Sequence, residues 1–397
     1  MPAPGEAGAG RHVAVFTAAA YSHINPLLGT VFELVRRGLR VSYATTRQFA
    51  PLVEAAGATP LVFRSSLPSD PGAWPTDTRR LPLLYLDDAR ATLPELEASF
   101  AGDRPDLVLT EDPAGAGSVL AAKWGVPTLQ VWTYLATARH WSMAEPGTAG
   151  ANPVVAAEFL SRLGSILAHE GVTTEARDHL ASGLAGGLVL IPRSFQPDGD
   201  TFGEEYTFAG PAPAPEPESA KWTPPDGGDP VVLVSLGSID HAHPEFFGTV
   251  AEAFNGLDRH VVMAIGDRCE PSDLPPLPPN VEAHRWVPNT AVLRHASLVI
   301  HHGGMATTME ALQHGVPSLV VPRLPEQARN ARRVRELGLG TAIPFRSVTA
   351  PALRRTALGL HAHAGVRRRV SAMREEIRRS GGAGSAADAV VRRLAPV

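Results

Sequence analysis

The feature that most constrains the fold of this chain is an alternation of short apolar runs with amphipathic helical segments, which passes through the sequence twice. Runs such as VAVFT (13–17), DLVLT (106–110) and LVIHH (298–302) have the length and the β-branched content of buried strands. Helical periodicity follows most of them, and strands that alternate with helices form parallel sheets covered on both faces. The pattern therefore predicts an α/β protein with two doubly wound (Rossmann-like) parallel-sheet domains that face a cleft.

One segment interrupts the alternation. The stretch PAPAPEPESAKWTPPDGGDP at 211–230 has prolines at a spacing that favours extended chain, which predicts a semi-rigid linker. A long surface loop inside one domain is the alternative interpretation. With a linker at 211–230, the first domain covers residues 1–210 and the second covers 231–378.

Capping chemistry predicts where two helical segments begin and end. Asn25 is expected as the N-cap of the first helix, with Pro26 at its first position and Gly38 at its end. A single long helical stretch is expected near 154–183.

Composition excludes several classes of function. The 397 residues are 44% hydrophobic and 19% charged with a net charge of -4, which is typical of a soluble globular protein and gives no support to a nucleic-acid partner. Cys269 is the only cysteine, so no intrachain disulfide can form, as suits a reducing cytosol. No apolar run approaches the ~20 residues that span a bilayer, and the first residues, MPAPGEAGAG, lack signal-peptide features. We expect a cytoplasmic protein, and the excess of arginine over lysine is typical of a high-GC bacterial genome.

The segment LVIHHGGMATTMEALQHGVP at 298–317 leads from a strand into a helix through two histidines and two glycines. Because a helix N-terminus presents unpaired N–H groups and glycines admit a ligand close to the backbone, this turn predicts an anion site. The segment contains neither the Lys-Ser/Thr pair of a phosphate-binding P-loop nor the dinucleotide pattern GxGxxG. His302 is a candidate donor to phosphate, with a packed or capping histidine as the alternative. His301 is expected to point to the opposite face of the strand, so the two histidines should not form a metal pair.

Other candidate binding residues of the second domain each have a structural alternative. Gly237 and Ser238 end a strand with small residues suited to phosphate, although such turns are common. Trp286 is a candidate for stacking on a nucleobase or, equally, a buried anchor. Glu326 and Gln327 are candidates for sugar recognition, but they also fit ordinary helix-start chemistry. The sequence DHAH (240–243) has metal-like spacing, and we interpret it as a polar loop rather than a metal site.

In the first domain, His23 lies between a strand and a helix, where a general base is well placed. Glu111 or Asp112, at the end of another strand, is the candidate carboxylate partner that would fix its tautomer. Two unrelated polar loops are the alternative. The aromatic residues Trp74, Tyr85, Trp132, Tyr134 and Trp141 fit either an apolar acceptor pocket or the core.

The motifs of the second domain together resemble a known family. The segments VLVSLGS, NVEAHRWVPNTAVL, HHGGMATTMEALQHGVP and PEQARNARRV occur in the order and spacing found in GT-B nucleotide-sugar glycosyltransferases of the UDP-glycosyltransferase superfamily. The chain is most similar to the bacterial macrolide and natural-product type. The resemblance implies an acceptor-binding first domain, a nucleotide-sugar-binding second domain, and a C-terminal helix (379–397) that packs back on the first domain.

The resemblance also implies a role for each motif residue. Trp286 would stack on uracil with Val287 and Asn289 beside it, and Glu310 would bind the ribose hydroxyls. Diphosphate contacts are implied for Gly237, Ser238, His302, Gly303, Gly304 and Thr307. Glu326 and Gln327 would hold the hydroxyls of a hexose, for which the family pattern favours glucose, and His23 would be the base.

The chain departs from the family pattern at four positions. Ser22 stands where the family usually has glycine, Ala306 where it has asparagine, and Asn289 where it has glutamine. Glu111 occupies the position of the usual aspartate, with Asp112 next to it, and we place Glu111 slightly ahead as the partner of His23.

The predicted function is inverting transfer of a hexose from a UDP-sugar, with a TDP-sugar as the alternative donor, to a hydroxyl of a small hydrophobic natural product such as a macrolide, polyketide or aromatic aglycone. No metal or other cofactor is expected. A nucleotide-sugar epimerase would instead consume donor without acceptor. A non-catalytic sugar-nucleotide-binding auxiliary protein would bind donor without transfer.

Overall fold

The computed structural model describes residues 10–68, 78–112, 114–142, 152–215, 221–237 and 243–394. The chain divides into two compact units, which are residues 1–214 with 380–397, and residues 215–379. No helix among the described residues combines the length and the apolar content needed to cross a membrane.

The first unit is built on a seven-stranded parallel sheet in the order β3-β2-β1-β4-β5-β6-β7. Its elements up to the linker are β1 (His12–Phe16), α1 (Tyr21–Arg36), β2 (Arg40–Thr45), α2 (Ala50–Ala55), β3 (Thr59–Val62), α3 (Leu81–Ser99), β4 (Leu107–Thr110), α4 (Ala116–Trp124), β5 (Thr128–Trp132), α5 (Pro153–His169), α6 (Ala176–Gly183), β6 (Gly187–Val189) and β7 (Tyr206–Phe208).

The second unit is built on a six-stranded parallel sheet in the order β10-β9-β8-β11-β12-β13. Its elements are β8 (Val231–Ser235), α7 (Pro244–Phe254), β9 (His260–Ala264), β10 (Val281–His284), α8 (Asn289–Leu293), β11 (Ala296–His301), α9 (Met305–His314), β12 (Ser318–Val320), α10 (Pro325–Glu336), β13 (Gly340–Ala342), α11 (Ala350–Ala362) and α12 (Ala364–Arg379). The predicted pair of doubly wound parallel sheets is therefore confirmed.

The last helix, α13 (Gly382–Leu394), belongs to the first unit. Its buried Val390 joins the cluster of apolar side chains that also contains Leu34 of α1. Arg37, which follows α1, forms a 2.6 Å ion pair with Asp388. Residues 211–215 and 221–230, the described parts of the proline-rich segment, contain no helix or strand.

Two predicted helix boundaries are wrong. Helix α1 begins at Tyr21, and Pro26 lies inside it. The carbonyl of Ala20 already accepts a 3.0 Å hydrogen bond from the Ile24 N–H, so the helix is under way before Asn25. Pro26 lacks one N–H and therefore forfeits a single bond near the helix start. The region 154–183 forms two helices, because the chain leaves α5 through Gly171, whose φ of 75° favours glycine.

The order of strands places a topological switch point in each unit. In the first, β1 lies between β2 and β4, and in the second, β8 lies between β9 and β11. Ligands of open α/β sheets bind beyond the carboxyl ends of the strands at such points. Phe16 pairs with Thr110 and Ser235 pairs with His301, so the neighbouring strands end level with one another. The residues that follow these four strand ends are the ones to inspect for function.

Candidate functional site

In the first unit, the switch point brings His23 and Glu111 together. Nδ1 of His23 lies 2.8 Å from Oε2 of Glu111. Because α1 begins at Tyr21, His23 occupies the first helical turn rather than a loop, and its backbone is held there. Glu111 follows β4 and His23 lies at the start of the helix that follows the adjacent strand β1, an arrangement that the sequence could suggest but not establish.

Glu111 is enclosed, with its side chain only 4% exposed against 30% for His23. Its Oε1 accepts a hydrogen bond from the hydroxyl of Thr133, and the Ala18 N–H lies 3.4 Å from Oε2. Its own N–H donates to the Phe16 carbonyl at 3.0 Å, which extends the pairing of β1 and β4 by one residue. A buried carboxylate with several donors is held in a single orientation, so it can fix the ring of His23.

Asp112 occupies a different position. It is exposed, and its Oδ1 accepts a 2.8 Å hydrogen bond from the N–H of Ala114 in the turn before α4. Successive residues of an extended chain point in opposite directions, so the two carboxylates diverge. The structure thus brings Glu111, and not Asp112, to His23.

The aromatic candidates for an acceptor pocket differ in their placement. Tyr134 is half-buried, and its ring centroid lies 6.4 Å from that of His23 in an edge-on arrangement. Trp132 is 3% exposed and packs edge-on against Tyr134, with 6.0 Å between the ring centroids. Trp74 lies outside the described residues. Of Trp132 and Tyr134, it is Tyr134 that lies beside His23 and is partly open.

In the second unit, glycines that follow two neighbouring strands, β8 and β11, lie against the ring of His302. A Cβ built on Gly304 would lie 2.5 Å from His302 Nε2, and one built on Gly237 would lie 2.6 Å from His302 Cε1. Gly237 and Gly303 also have φ of 85° and 93°, which side-chain-bearing residues rarely adopt. The imidazole therefore lies directly over bare backbone at the switch point. Ser238, the predicted phosphate residue that follows Gly237 after β8, lies outside the described residues.

Helix α9 starts immediately after this turn, with Gly304 at the N-cap and Met305 as its first residue. Its free N–H groups and the positive end of its dipole face the turn. Thr307, in the first turn of α9, is 7% exposed. Sequence reasoning missed Asn330 of α10, which is 2% exposed and donates a 2.9 Å hydrogen bond to the Gly303 carbonyl. The turn is thus braced from a neighbouring helix.

Trp286 and Val287 follow β10 and have opposite environments. Trp286 is 67% exposed, so it is not a buried anchor, whereas Val287 is 5% exposed and packs in the core of the unit. A large indole held at the surface by a buried neighbour is an open face for stacking.

Asn289 and Glu310 lie close together. Nδ2 of Asn289 is 3.4 Å from Oε2 of Glu310, which lies on α9 one turn beyond Thr307. The carboxylate of Glu310 is half-buried. The two predicted nucleotide residues from separate motifs therefore share one location.

Glu326 and Gln327 lie in the first turn of α10 and behave differently. Glu326 is exposed. Gln327 is 9% exposed, and its Oε1 accepts hydrogen bonds from the N–H groups of Arg323 and Leu324, at 3.0 and 3.2 Å. Gln327 thus caps the start of α10 through Oε1. The other polar atom of its side chain, Nε2, takes no part in this cap. The helix-start alternative holds for Gln327, while Glu326 presents a carboxylate to solvent.

His301 has a structural rather than a ligand-facing position. It is fully buried, its Nδ1 accepts a 3.2 Å hydrogen bond from the Gly303 N–H, and burial, with the nearby His302 contributing less, lowers its pKa to about 3. Its ring is 89° to that of His302 with centroids 6.5 Å apart, so the two rings diverge. Residues 240–242 of the metal-like DHAH sequence lie outside the described part of the chain.

The depressed pKa of His301 predicts acid sensitivity. The unfolded chain binds a proton near pH 6.5 and the folded chain only near pH 3, so stability is present above pH 6.5 and is lost as the pH falls between these values. We expect His301→Asn to reduce the loss of unfolding free energy between pH 7 and pH 4 by on the order of a few kcal/mol. Urea unfolding of both proteins at several pH values measures this difference.

The comparison must be made between slopes, because burial also lowers the pKa values of His12 and His361. Those residues are unchanged in the variant and contribute equally to both proteins. Equal slopes for the wild type and His301→Asn would contradict the assignment.

Comparisons with known proteins identify the family of the chain. The family described as "Erythromycin biosynthesis protein CIII-like, C-terminal domain" matches residues 249–391. The NDP-glycosyltransferase YjiC of Bacillus licheniformis is 36% identical over 97% of this chain and 98% of its own length. The oleandomycin glycosyltransferase of Streptomyces antibioticus is 37% identical over 96% of this chain and 90% of its own.

Solved structures are similarly close. The calicheamicin glycosyltransferase CalG4 superposes with a TM-score of 0.82 at 35% identity, covering 97% of this chain and 98% of that one. The glycotransferase of kitacinnamycin superposes with a TM-score of 0.86 at 35% identity, covering 97% of this chain and all of the other. Two Rossmann-like units with these neighbours define a GT-B glycosyltransferase. Within that class, the chain belongs to the family of macrolide and natural-product glycosyltransferases, as the sequence motifs predicted.

Proposed function

We propose that this glycosyltransferase transfers a hexose, with inversion, from a nucleoside diphosphate sugar to a hydroxyl of a small natural product, and that UDP-glucose is its donor. The observation that carries the proposal is the 2.8 Å contact between His23 and the enclosed Glu111 at the switch point of the first unit. An orienting carboxylate on one ring nitrogen is what makes a neutral imidazole an effective general base.

The protonation states of Glu111 and His23 follow from which of their atoms can donate a hydrogen bond. An ionised carboxylate only accepts hydrogen bonds, so His23 donates through Nδ1–H and carries its lone pair on Nε2. Nε2 removes the proton of the acceptor hydroxyl as its oxygen forms a bond to the anomeric carbon, and the bond from that carbon to the diphosphate oxygen breaks with both electrons going to the diphosphate. Glu111 stabilises the resulting imidazolium.

A single displacement of this kind inverts the anomeric centre, so an α-linked donor gives a β-glycoside. A retaining route through a covalent glycosyl-enzyme needs a carboxylate that reaches the sugar. Glu111 is 4% exposed and engaged by His23 and Thr133, so its environment supports an orienting role instead.

The donor is assigned to the second unit. Trp286 would stack on the base, Glu310 would accept from the ribose hydroxyls, and His302 with the start of α9 would take the diphosphate. The exposure of the indole and the bare glycine backbone around the imidazole support these roles. The start of α9 and the imidazole of His302 offer positive potential and a hydrogen-bond donor where the leaving group develops charge, so we propose that no divalent metal is required.

The sugar and the acceptor are assigned more coarsely. Exposed Glu326 would accept from hexose hydroxyls, with Gln327 donating through Nε2 while its Oε1 caps α10. A natural-product acceptor is supported by relatives named for oleandomycin and calicheamicin, and by the aromatic side of Tyr134 beside His23.

Product analysis tests the proposal directly. The purified chain is incubated with UDP-glucose or TDP-glucose and a panel of macrolide, polyketide and aromatic acceptors, and products are detected by mass and by the anomeric proton coupling. We expect a mono-hexosylated β-product with UDP-glucose. An α-product would contradict inversion. Conversion of the donor that is independent of acceptor would indicate an epimerase, and donor binding without any transfer would indicate an auxiliary protein.

Trp286→Ala tests the placement of the base. Stacking on an aromatic side chain is worth about 1–3 kcal/mol per base, so the KM for the donor should rise roughly 5- to 150-fold, with the KM for the acceptor unchanged. Trp286→Phe keeps an aromatic face and is the matched control. A rise in the acceptor KM alone would place Trp286 in the wrong subsite.

A further inference from the structure

Thr133 is a residue that the sequence motifs do not mark, and it lies next to the proposed catalytic pair. It follows β5 directly, is 5% exposed, and places its hydroxyl on Oε1 of Glu111. The other oxygen of the same carboxylate, Oε2, contacts Nδ1 of His23. The chain Thr133–Glu111–His23 therefore links the ends of β5 and β4 to the first turn of α1, which follows β1, and these three strands are adjacent in the sheet.

We propose that Thr133 is a positioning residue of the transfer reaction, whose hydroxyl turns the carboxylate of Glu111 so that Oε2 meets His23. The inference rests on the proposed role of His23 as base. Thr133 does not contact the reacting atoms in this scheme and acts only through Glu111.

The geometry of a glutamate explains why such a residue is needed. A glutamate has one more rotatable bond than an aspartate, so its carboxylate can turn away from a partner unless a second contact restrains it. The backbone of Glu111 is fixed on both sides, by its N–H on the Phe16 carbonyl at 3.0 Å and by its carbonyl, which accepts from Gln130 Nε2. These bonds fix the start of the side chain, and the Thr133 hydroxyl fixes its end.

A purely structural interpretation is that Thr133 only satisfies a buried carboxylate. The two interpretations differ in catalysis, because a loosened Glu111 no longer fixes the ring of His23, and a displacement of about 1 Å near the reacting atoms costs on the order of 10² in rate. The titratable groups around the carboxylate are His23, Asp112 and Tyr43, which hydrogen-bonds Thr17 at 3.0 Å, and Tyr134 lies beside the imidazole. None of these is altered by a substitution at Thr133.

The test compares Thr133→Val, which removes the hydroxyl at nearly constant volume, with Thr133→Ser, which keeps it. We expect Thr133→Val to lower kcat about 10- to 100-fold with both KM values nearly unchanged. The acidic limb of its pH–rate profile, where the His23 base becomes protonated, should move to lower pH, because a carboxylate turned away from the imidazole stabilises the imidazolium less. Thr133→Ser should restore most of the rate. Thr92→Val is the matched control, since Thr92 is equally buried but its hydroxyl donates only to carbonyls of its own helix.

A double-mutant cycle separates action through Glu111 from a general effect on folding. In a Glu111→Ala background, Thr133→Val should have no further effect on kcat. If Thr133→Val does not fold, Thr133→Ala takes its place in the series. An unchanged kcat and pH profile for the variant, or equal losses in the valine and serine variants, would overturn the inference. If His23→Ala is inactive while Thr133→Val is normal, only this inference fails; if His23→Ala is fully active, the proposed function fails with it.

Discussion

His23→Ala is expected to lower kcat by about 10²–10⁴, because removal of a general base from the transition state typically costs that much. The KM for the donor should change little, since the residues assigned to the nucleotide lie in the second unit. Steady-state kinetics with saturating acceptor measure the loss. The variant should also lose the acidic limb of the pH–rate profile, because the group that titrates there is gone.

The histidine at position 140 provides the control for this experiment. His140 is exposed in the same unit and contacts only Thr201 and Phe202 among the contacts described, so His140→Ala should leave kcat within about twofold of the wild type. Wild-type turnover in His23→Ala would remove His23 from the mechanism, whatever the fate of the Thr133 variants.

His302→Ala is expected to lower kcat/KM for the donor by about 10²–10³, the usual cost of losing one preorganised donor to a developing anion. The imidazole lies over the glycine backbone at the start of α9, where the leaving diphosphate is assigned. A ligand-dependent thermal shift with UDP should weaken in parallel. His302→Gln retains a side-chain N–H and should recover part of the loss.

Treatment of the wild type with EDTA tests the proposal that the reaction needs no metal. If His302 and the helix start carry the leaving charge, turnover of the wild type should be insensitive to EDTA. Loss of activity with EDTA that Mn²⁺ restores would contradict that proposal, and an undiminished kcat/KM in His302→Ala would remove this histidine from the diphosphate site.

The fold could be predicted from the sequence because its strands are buried on both faces. Such strands appear as continuous runs like VAVFT and LVIHH, which local periodicity is enough to recognise. Helix boundaries were harder to predict from the sequence. Pro26 suggested a helix start at Asn25, but the first turn already closes at Ala20, and one missing N–H near the helix start was tolerated.

Some features of the candidate site could be predicted from the sequence and others could not. The motifs predicted Trp286, the glycine-rich turn at His302, and His23 as candidates, since each depends on a short stretch of chain, but only the structure showed that Trp286 is exposed. The choice between Glu111 and Asp112 did not follow from the motifs, because adjacent residues differ in direction and only the pairing of β1 with β4 decides which one faces His23. The family resemblance implied a sugar-binding role for Gln327, but in the structure its side-chain carbonyl oxygen caps α10.

By itself, the sequence determined the two parallel sheets and the family, and it supplied the candidate site residues, because these depend on composition and spacing along the chain. The tertiary structure alone decided which of these residues meet. The contacts of Thr133 with Glu111 and of Asn330 with Gly303 join residues 22 and 27 positions apart. The physical reason is that such contacts arise from the order of strands in a sheet and the docking of a helix, and neither leaves a local signal at the residues concerned.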